Sequence, residues 1–459
     1  MNKINELRRN TIIIALANLG SKLIAFILAP AYSYYMTVDE YGLMDIINTT
    51  VSLVLPFICF DIYEATFRFS NEKKYSREAV FSTSIAVMFP SFVVGIGGII
   101  FSQICKINFK YINIIICITI LGALNMILAQ YIRGKQEMLK FALSGIVSSV
   151  GMLFSNFIFM VYLQLGIKGW LLSFLISKVV ECIYLCSVSD FINTFRIRYI
   201  QINYLKEFLK FCLPLLPTTI MWWIMSLSDR YMLAVYSGTV ATGIYAVANK
   251  LPSLLSVLEN IFYQAWQTTA INSVYDANRD KLYSKVFNKY IQIMVMGVLG
   301  ILIVSESMVL ILFEKSYSEA YRYIPLLVIA VVIHALNGNL GSLYSVFKNT
   351  KGAFYSTLIG ALMNIILNIF FIPKFGIMGA ALTTFISYVV TLLYRFMDTK
   401  KFVRIDIDLE TVIISIISIM FQLVLYYHNN IGSYLIRCCI FVGYAIHYRD
   451  TLIEIIKKA

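Results

Sequence analysis

LPLLPTTIMWWIMSLSDRYMLAVYSGTVATGIYAVANKL, residues Leu213–Leu251, decides the fold. It reads as an apolar helix carrying Asp229 and Arg230, a short turn at Ser237–Gly238, and a second apolar helix with Asn249, Lys250 and Pro252 in its first turns. An ionised group at mid-membrane costs on the order of 2.5–3.5 kcal/mol, so such groups are kept where they line a pathway or a site. The stretch lies near the middle of the chain, where a two-lobed protein starts its second half.

Working outward, the 459 residues are 59% hydrophobic and only 14% charged, far more apolar than a soluble domain. Mean hydropathy is +0.77. Apolar runs of about 20 residues recur from end to end, each long enough to cross a ~30 Å hydrocarbon core. The chain is therefore an all-α polytopic membrane protein. About fourteen spans are predicted, near residues 11–34, 43–65, 79–102, 111–131, 139–163, 169–190, 211–236, 243–268, 287–312, 323–346, 353–373, 377–397, 410–428 and 431–448. The N-terminal run is long enough to span and lacks a cleavage-site pattern, so it is read as a retained first helix.

The net charge of +13 reports topology rather than nucleic-acid binding, because the basic residues sit in alternate loops. One side carries Lys3, Arg8 and Arg9; Arg68, Lys73, Lys74 and Arg77; Arg133, Lys135 and Lys140; and Arg196, Arg198, Lys206 and Lys210. It continues with Arg279, Lys281, Lys285 and Lys289; Lys348 and Lys351; Arg395, Lys400, Lys401 and Arg404; and Arg449, Lys457 and Lys458. The other side has Lys106, Lys110, Lys168, Lys315, Arg322 and Lys374, roughly 27 against 6, which places both termini in the cytoplasm by the positive-inside rule.

The chain repeats itself. LGIKGWLLSFLISKVV (Leu165–Val180) matches FGIMGAALTTFISYVV (Phe375–Val390), and DEYGLMDII from Asp39 parallels ATGIYAVANKL from Ala241. Six helices separate the copies, and an even number makes them parallel repeats about an axis along the membrane normal. The expected organisation is a six-helix lobe at 1–205, a second at 206–404 around a central cavity, and two additional helices at 405–459.

Several ionisable groups then fall at membrane depth. Lys22 lies halfway along helix 1, one turn after Asn18, and Lys178 and Glu181 stand at pairing distance (i, i+3) in helix 6. Asp229, Arg230 and Lys250 occupy outer positions, Glu259 the middle of helix 8, and Asp61 and Glu64 the inner end of helix 2. The cations Lys22, Arg230, Lys250 and Lys178 suit an anionic ligand, since Arg offers phosphate a planar fork and Lys a point charge. The acids Asp229, Glu259, Glu64 and Glu181 are expected to brace those cations or to bind a coupling proton or sodium ion. Arg68 and Arg437, near span ends, are expected to snorkel. Tyr32, Tyr34 and Tyr35 cluster at an outer helix end, where aromatic rings can stack on sugars. Prolines such as Pro56 and Pro252 mark broken or kinked helices.

No motif of nucleotide hydrolysis, metalloprotease or serine-hydrolase chemistry is present. The eight cysteines form no framework: Cys105 reads as a loop residue, and the rest as small apolar packing groups. His334, His428 and His447 are scattered and read as core or interface residues. The segment Asn272–Lys289, with Tyr275, Leu282, Val286 and Phe287 on one side, reads as an amphipathic surface helix.

The order of motifs resembles a known family. TVDEYGLMDI (Thr37–Ile46), the run from Pro214 through Asp229–Arg230, Ser237–Gly238 and GIYAVANKLP (Gly243–Pro252), and the paired GIxG at Gly166 and Gly376 are similar to Wzx-type polysaccharide flippases. These belong to the multidrug/oligosaccharidyl-lipid/polysaccharide (MOP) exporter superfamily, and the resemblance covers about residues 5–400. It implies a transporter in the bacterial cytoplasmic membrane, not an enzyme and without a cofactor. Such a protein moves undecaprenyl-diphosphate-linked oligosaccharides outward by alternating access driven by an ion or proton gradient. Implied partners are the lipid-linked substrate, the bilayer, and the polymerase and chain-length machinery, with no nucleic acid. The alternatives are a cation-coupled multidrug exporter, which would favour an acidic cavity, and a membrane polysaccharide polymerase, which generally has a large outer loop.

Overall fold

A chain in lipid has to satisfy every backbone N–H and C=O within its own segment, which restricts a single span to helix. The computed structural model describes residues 20–453 apart from 73, 105–110, 275, 277, 348, 429 and 452. Lys3, Arg8, Arg9, Asn18, Lys73, Cys105, Lys106, Lys110, Tyr275, Lys348, Lys457 and Lys458 lie outside the described residues. Among the described residues the regular structure is helical, without a strand. By internal packing the chain divides into two units, Met1–Trp223 and Ile224–Ala459.

The first unit holds α1 (residues 20–35), α2 (Val38–Cys59), α3 (Ile62–Asn71), α4 (Arg77–Ala86), α5 (Met88–Ile104), α6 (Ile112–Gly134), α7 (Met138–Asn156), α8 (Gly166–Val188), α9 (Phe191–Thr194), α10 (Ile202–Cys212) and the start of α11 (Leu216–Ala248). The motif at Thr37 starts α2 with a reciprocal cap. Glu40 N–H donates to Thr37 Oγ1 and Thr37 N–H to a Glu40 carboxylate oxygen, both at 3.2 Å, satisfying two donors that a helix start leaves open. Helix 2 of the sequence reading is broken into α2 and α3, with Phe60 (φ 49°) and Asp61 (φ 54°) both left-handed at the joint. α10 is amphipathic: Phe208 and Cys212 pack with Ile62, Ala65, Phe69 and Val80, while Tyr75 Oη donates to Glu207 on the exposed side at 2.7 Å.

The second unit continues α11 and adds α12 (Pro252–Asn272), α13 (Arg279–Leu312), α14 (Ile324–Val346), α15 (Thr350–Thr399), α16 (Leu409–Tyr426) and α17 (Ile431–His447). α11 turns at Gly238 (φ 85°, ψ 170°) and α15 at Gly376 (φ 52°, ψ −127°), so each runs as two helices. Ten helical stretches among the described residues are long and apolar enough to cross a membrane, with Ile431–His447 a shorter apolar one. With α11 and α15 divided at those two glycines, and with α1, α12 and α17 added, the helices fall in the order of the predicted spans, the second part of α11 and α12 together taking the place of span 243–268.

The GIxG repeat has the same geometry in each unit. Gly166 and Gly376 have φ of +54° and +52°, a region L side chains avoid. Three residues on, a Cβ at Gly169 would lie 2.7 Å from the Phe159 carbonyl oxygen, and one at Gly379 would lie 2.5 Å from that of Phe371. Both glycines let a helix start press against the end of its predecessor.

As the proline marked, helix 8 breaks at residues 249–251, and α12 restarts with Pro252 in its first turn, where a missing N–H is harmless. The structure corrects three expectations. Asn272–Lys289 is not one surface helix, because α12 ends at Asn272 and Arg279 opens the 34-residue α13. Arg395, counted with the basic residues at the end of its span, does not face that surface: it sits in α15, 3% exposed. Arg437 does not snorkel: it is 3% exposed, and its Nη1 donates to the Leu302 carbonyl of α13 at 3.2 Å. Polar rungs hold the last two helices to α13 and to each other, including Gln292–Thr411 at 3.1 Å, Ser305–Tyr426 at 3.0 Å and Ser415–Tyr444 at 2.8 Å.

Candidate functional site

The second unit gathers the ionisable groups. Asp229 and Arg230 lie on α11, roughly 13 Å along the helix from the Gly238 turn at 1.5 Å per residue, and are 1% and 8% exposed. Arg230 Nη1 donates to Asp229 Oδ1 at 3.2 Å and to the Ser226 carbonyl at 3.1 Å. The other carboxylate oxygen accepts from Tyr245 Oη at 2.5 Å and Thr384 Oγ1 at 3.3 Å. The two helices flanking Gly238 and the second half of α15 thus converge on one carboxylate. A buried charge is tolerable only when paired and hydrogen-bonded in this way.

A polar stripe on α15 extends the cluster. Ser228 Oγ donates to Asn364 Oδ1 at 3.1 Å, Asn368 Nδ2 to the same atom at 2.9 Å, and Thr383 Oγ1 to Asn368 Oδ1. Tyr388 Oη donates to Ser226 Oγ at 3.1 Å. Further along α15, Arg395 donates to the Asn337 carbonyl at 2.7 Å, Ser356 Oγ at 3.0 Å and Thr357 Oγ1 at 3.3 Å. Arg395 thereby ties α14 to both halves of α15. Its guanidinium spreads charge over a planar fork, which suits burial better than an ammonium.

Glu259 and His334 form a second pair, on α12 and α14, with a carboxylate oxygen 2.8 Å from His334 Nδ1. The imidazole ring lies 5.0 Å from that of Tyr388. Lys250 is half-buried in the break before α12, where its carbonyl accepts from Ser253 Oγ at 2.6 Å and Asn249 Nδ2 donates to the Tyr245 carbonyl at 2.8 Å.

In the first unit, Lys178 Nζ and Glu181 Oε2 are ion-paired at 2.8 Å. They line a cavity of about 250 Å³ with Ser21, Asn125, Gln130 and Ser144. Asn125 Nδ2 donates to the Lys178 carbonyl at 2.9 Å. Lys22 is exposed on α1, and Glu64 is exposed on α3 with the charge of Arg133 acting on it. Tyr32 is buried and accepts from Asn156 Nδ2 at 2.9 Å, whereas Tyr34 and Tyr35 are exposed.

Of the sequence-derived candidates, the second unit brings Asp229 and Arg230 into direct contact, and the first unit does the same for Lys178 and Glu181. Reading by charge missed His334, Arg395 and the α15 hydroxyls and amides. The signal for the last was in the sequence: Asn364 and Asn368 stand at i, i+4, and Thr383, Thr384, Ser387 and Thr391 at helical spacing in an otherwise apolar run. For His334 no sequence signal distinguishes a paired imidazole from a packed one.

Comparison with known proteins places this arrangement. The fold is similar to "Lipid II flippase MurJ, inward closed conformation", at 15% identity over 96% of this chain and 100% of that one, with a TM-score of 0.72. It is similar to an inward-facing multidrug resistance MATE family transporter of the MOP superfamily at 13% identity, 85% and 95% coverage and TM-score 0.65. A MOP superfamily transporter from Pyrococcus furiosus matches at 13% identity, 86% and 96% coverage and TM-score 0.62. No curated protein matches the chain by sequence. The sequence profile of the polysaccharide biosynthesis protein family matches residues 7–267, more than half of the chain, and the protein belongs to that family, with the all-α fold of MOP-type membrane transporters.

Proposed function

We propose that this protein flips undecaprenyl-diphosphate-linked oligosaccharides across the bacterial cytoplasmic membrane, by alternating access coupled to an ion gradient. The observation carrying this reading is the family match across residues 7–267, in a chain whose membrane spans hold arginine and lysine. Lys22, Arg230 and Lys250 are the cations proposed to meet the diphosphate. Lys178 is a further candidate; it is ion-paired with Glu181 at 2.8 Å, as Arg230 is with Asp229 at 3.2 Å. Arg230 shares its charge with Asp229, which keeps the guanidinium ordered in a buried span. Both termini are placed in the cytoplasm by the basic loops.

The test is reconstitution. Purified protein in liposomes is expected to move a fluorescent undecaprenyl-diphosphate-linked oligosaccharide between leaflets, read by quenching of the outer leaflet. Lys22→Ala and Lys250→Ala are each expected to slow the movement about tenfold or more, the equivalent of ~1.4 kcal/mol. Absence of movement under every imposed gradient would sink the proposal.

A further inference from the structure

The sequence reading places five acids at membrane depth: Asp61 is buried and accepts from Thr219 Oγ1 at 3.3 Å, and the partners of the other four divide them. Asp229 is bound to Arg230 and Glu181 to Lys178, and Glu64 lies in the field of Arg133. Each of these faces an Arg or Lys side chain, a residue type whose ordinary pKa lies well above neutral. Glu259 instead faces His334 at 2.8 Å, and imidazole is the side chain that gains and loses its charge between about pH 5 and 8. A carboxylate against a fixed cation makes a static brace, whereas a carboxylate against imidazole makes a site that can take up and release a proton.

The surroundings favour that use. Glu259 is buried, while the His334 ring is only half-buried. The neighbouring elements present groups that are neutral near pH 7. These are Tyr290 from α13, which feels the charge of Glu259, Tyr388 from α15, against the imidazole, and Tyr263 on α12 itself. Gly338, one turn beyond His334, lies beside the carboxylate: a Cβ there would be in ordinary contact, 3.5 Å from a Glu259 oxygen. Charged groups on the same elements are Arg395, which donates to Asn337, Ser356 and Thr357 and acts on Tyr263, and the Asp229–Arg230 pair, which acts on Tyr388.

We propose that Glu259 and His334 together form the proton-binding site through which a proton gradient drives this transporter, an inference that rests on the transport reading above. Uptake of one proton converts a carboxylate beside a neutral imidazole, net charge minus one, into a carboxylate–imidazolium pair of net charge zero. Release restores the first state. Neutralising the pair removes an uncompensated charge from the span, so the protonated form is the one that closes off from water at lower cost. Protonation thereby biases the conformational equilibrium by its differential stability in the two states.

Two experiments separate this inference from the transport reading. The chain has three histidines, so ¹³C,¹⁵N-histidine NMR of the purified full-length protein, assigned with His334→Gln, follows the imidazole without any lipid cargo. The His334 signal is expected to change with pH, along a curve that differs in Glu259→Gln and in the milder Glu259→Asp. A His334 signal that does not titrate in the unmodified protein overturns the proposal, whether or not the variants fold. So does a curve identical in wild type and both Glu259 variants. In proteoliposomes carrying the fluorescent lipid-linked oligosaccharide, an imposed pH gradient is expected to accelerate wild type severalfold. The ratio of rates with and without the gradient is expected to fall to one in His334→Gln. Movement indifferent to the gradient in wild type refutes the coupling and leaves the flippase reading intact. Coupled titration without any movement supports the proton site and refutes the flippase reading.

Discussion

Asp229→Asn gives the sharpest test of how the second unit is held together. The substitution is nearly isosteric and leaves Tyr245 and Thr384 an amide oxygen in place of the carboxylate oxygen, 2.5 and 3.3 Å away in the native protein. It removes the negative charge 3.2 Å from the Arg230 guanidinium, which is 8% exposed. Breaking a buried pair from one side costs about 3–5 kcal/mol, since the remaining charge is uncompensated. On the soluble-domain entropy scale, about 3 kcal/mol spread over a unit of this size lowers Tm by about 6 °C. The assay is tryptophan-fluorescence melting of the purified protein in one detergent, with Asp229→Asn, Arg230→Met and the double variant side by side. The double variant is expected to recover at least half of the loss, because it leaves no lone charge. A melting temperature equal to wild type in Asp229→Asn, or strict additivity in the double variant, would refute the reasoning.

Three further outcomes follow from the geometry. Gly379→Ala places a Cβ 2.5 Å from a backbone carbonyl and is expected to cost about 1–3 kcal/mol, whereas Gly443→Ala in α17, with nothing within 4 Å, is expected to be neutral or stabilising by up to ~1 kcal/mol. Equal melting temperatures for the two would contradict the close approach of the α15 halves. Arg395→Met is expected to destabilise more than Arg68→Met by at least ~2 kcal/mol, because Arg395 makes three buried hydrogen bonds while Arg68 is exposed and its ion pair with Glu72 is a surface one. The fourth concerns the loop before α7, where burial raises the Glu137 carboxyl but ion pairs with Lys140 at 2.9 Å and Lys135 at 3.0 Å outweigh it and hold it below the ordinary 4.5. A depressed carboxyl contributes stability above its unfolded value and loses it as pH falls through the folded one. Glu137→Gln is therefore expected to lower Tm at pH 7, with the difference from wild type shrinking below about pH 4.5; a pH-independent difference would contradict the ion-pair account.

The sequence by itself determined the membrane class, the all-helical architecture and the internal repeat. Hydropathy over about 20 residues is a local quantity, and lipid leaves a single span no option but helix. The glycines of GIxG were legible for the same reason: a positive φ at Gly166 and Gly376 is a backbone demand that residue type announces. The sequence also placed Asp229, Arg230, Glu259, Lys178 and Glu181 on helices, where the structure finds them, on α11, α12 and α8. Which charges meet was partly legible. Lys178–Glu181 is an i, i+3 pair on a single helix, and the structure forms it at 2.8 Å. Pairs across helices were not legible, because rotation of a helix about its axis is set by packing against its neighbours. Only tertiary structure therefore decided that Glu259 meets His334, that Thr384 and Tyr245 share Asp229, and that Arg395 and Arg437, placed by sequence at span ends, turn inward to helix carbonyls. A long side chain near the end of a span can reach water or a buried carbonyl from the same backbone position, and the neighbouring helix decides between them.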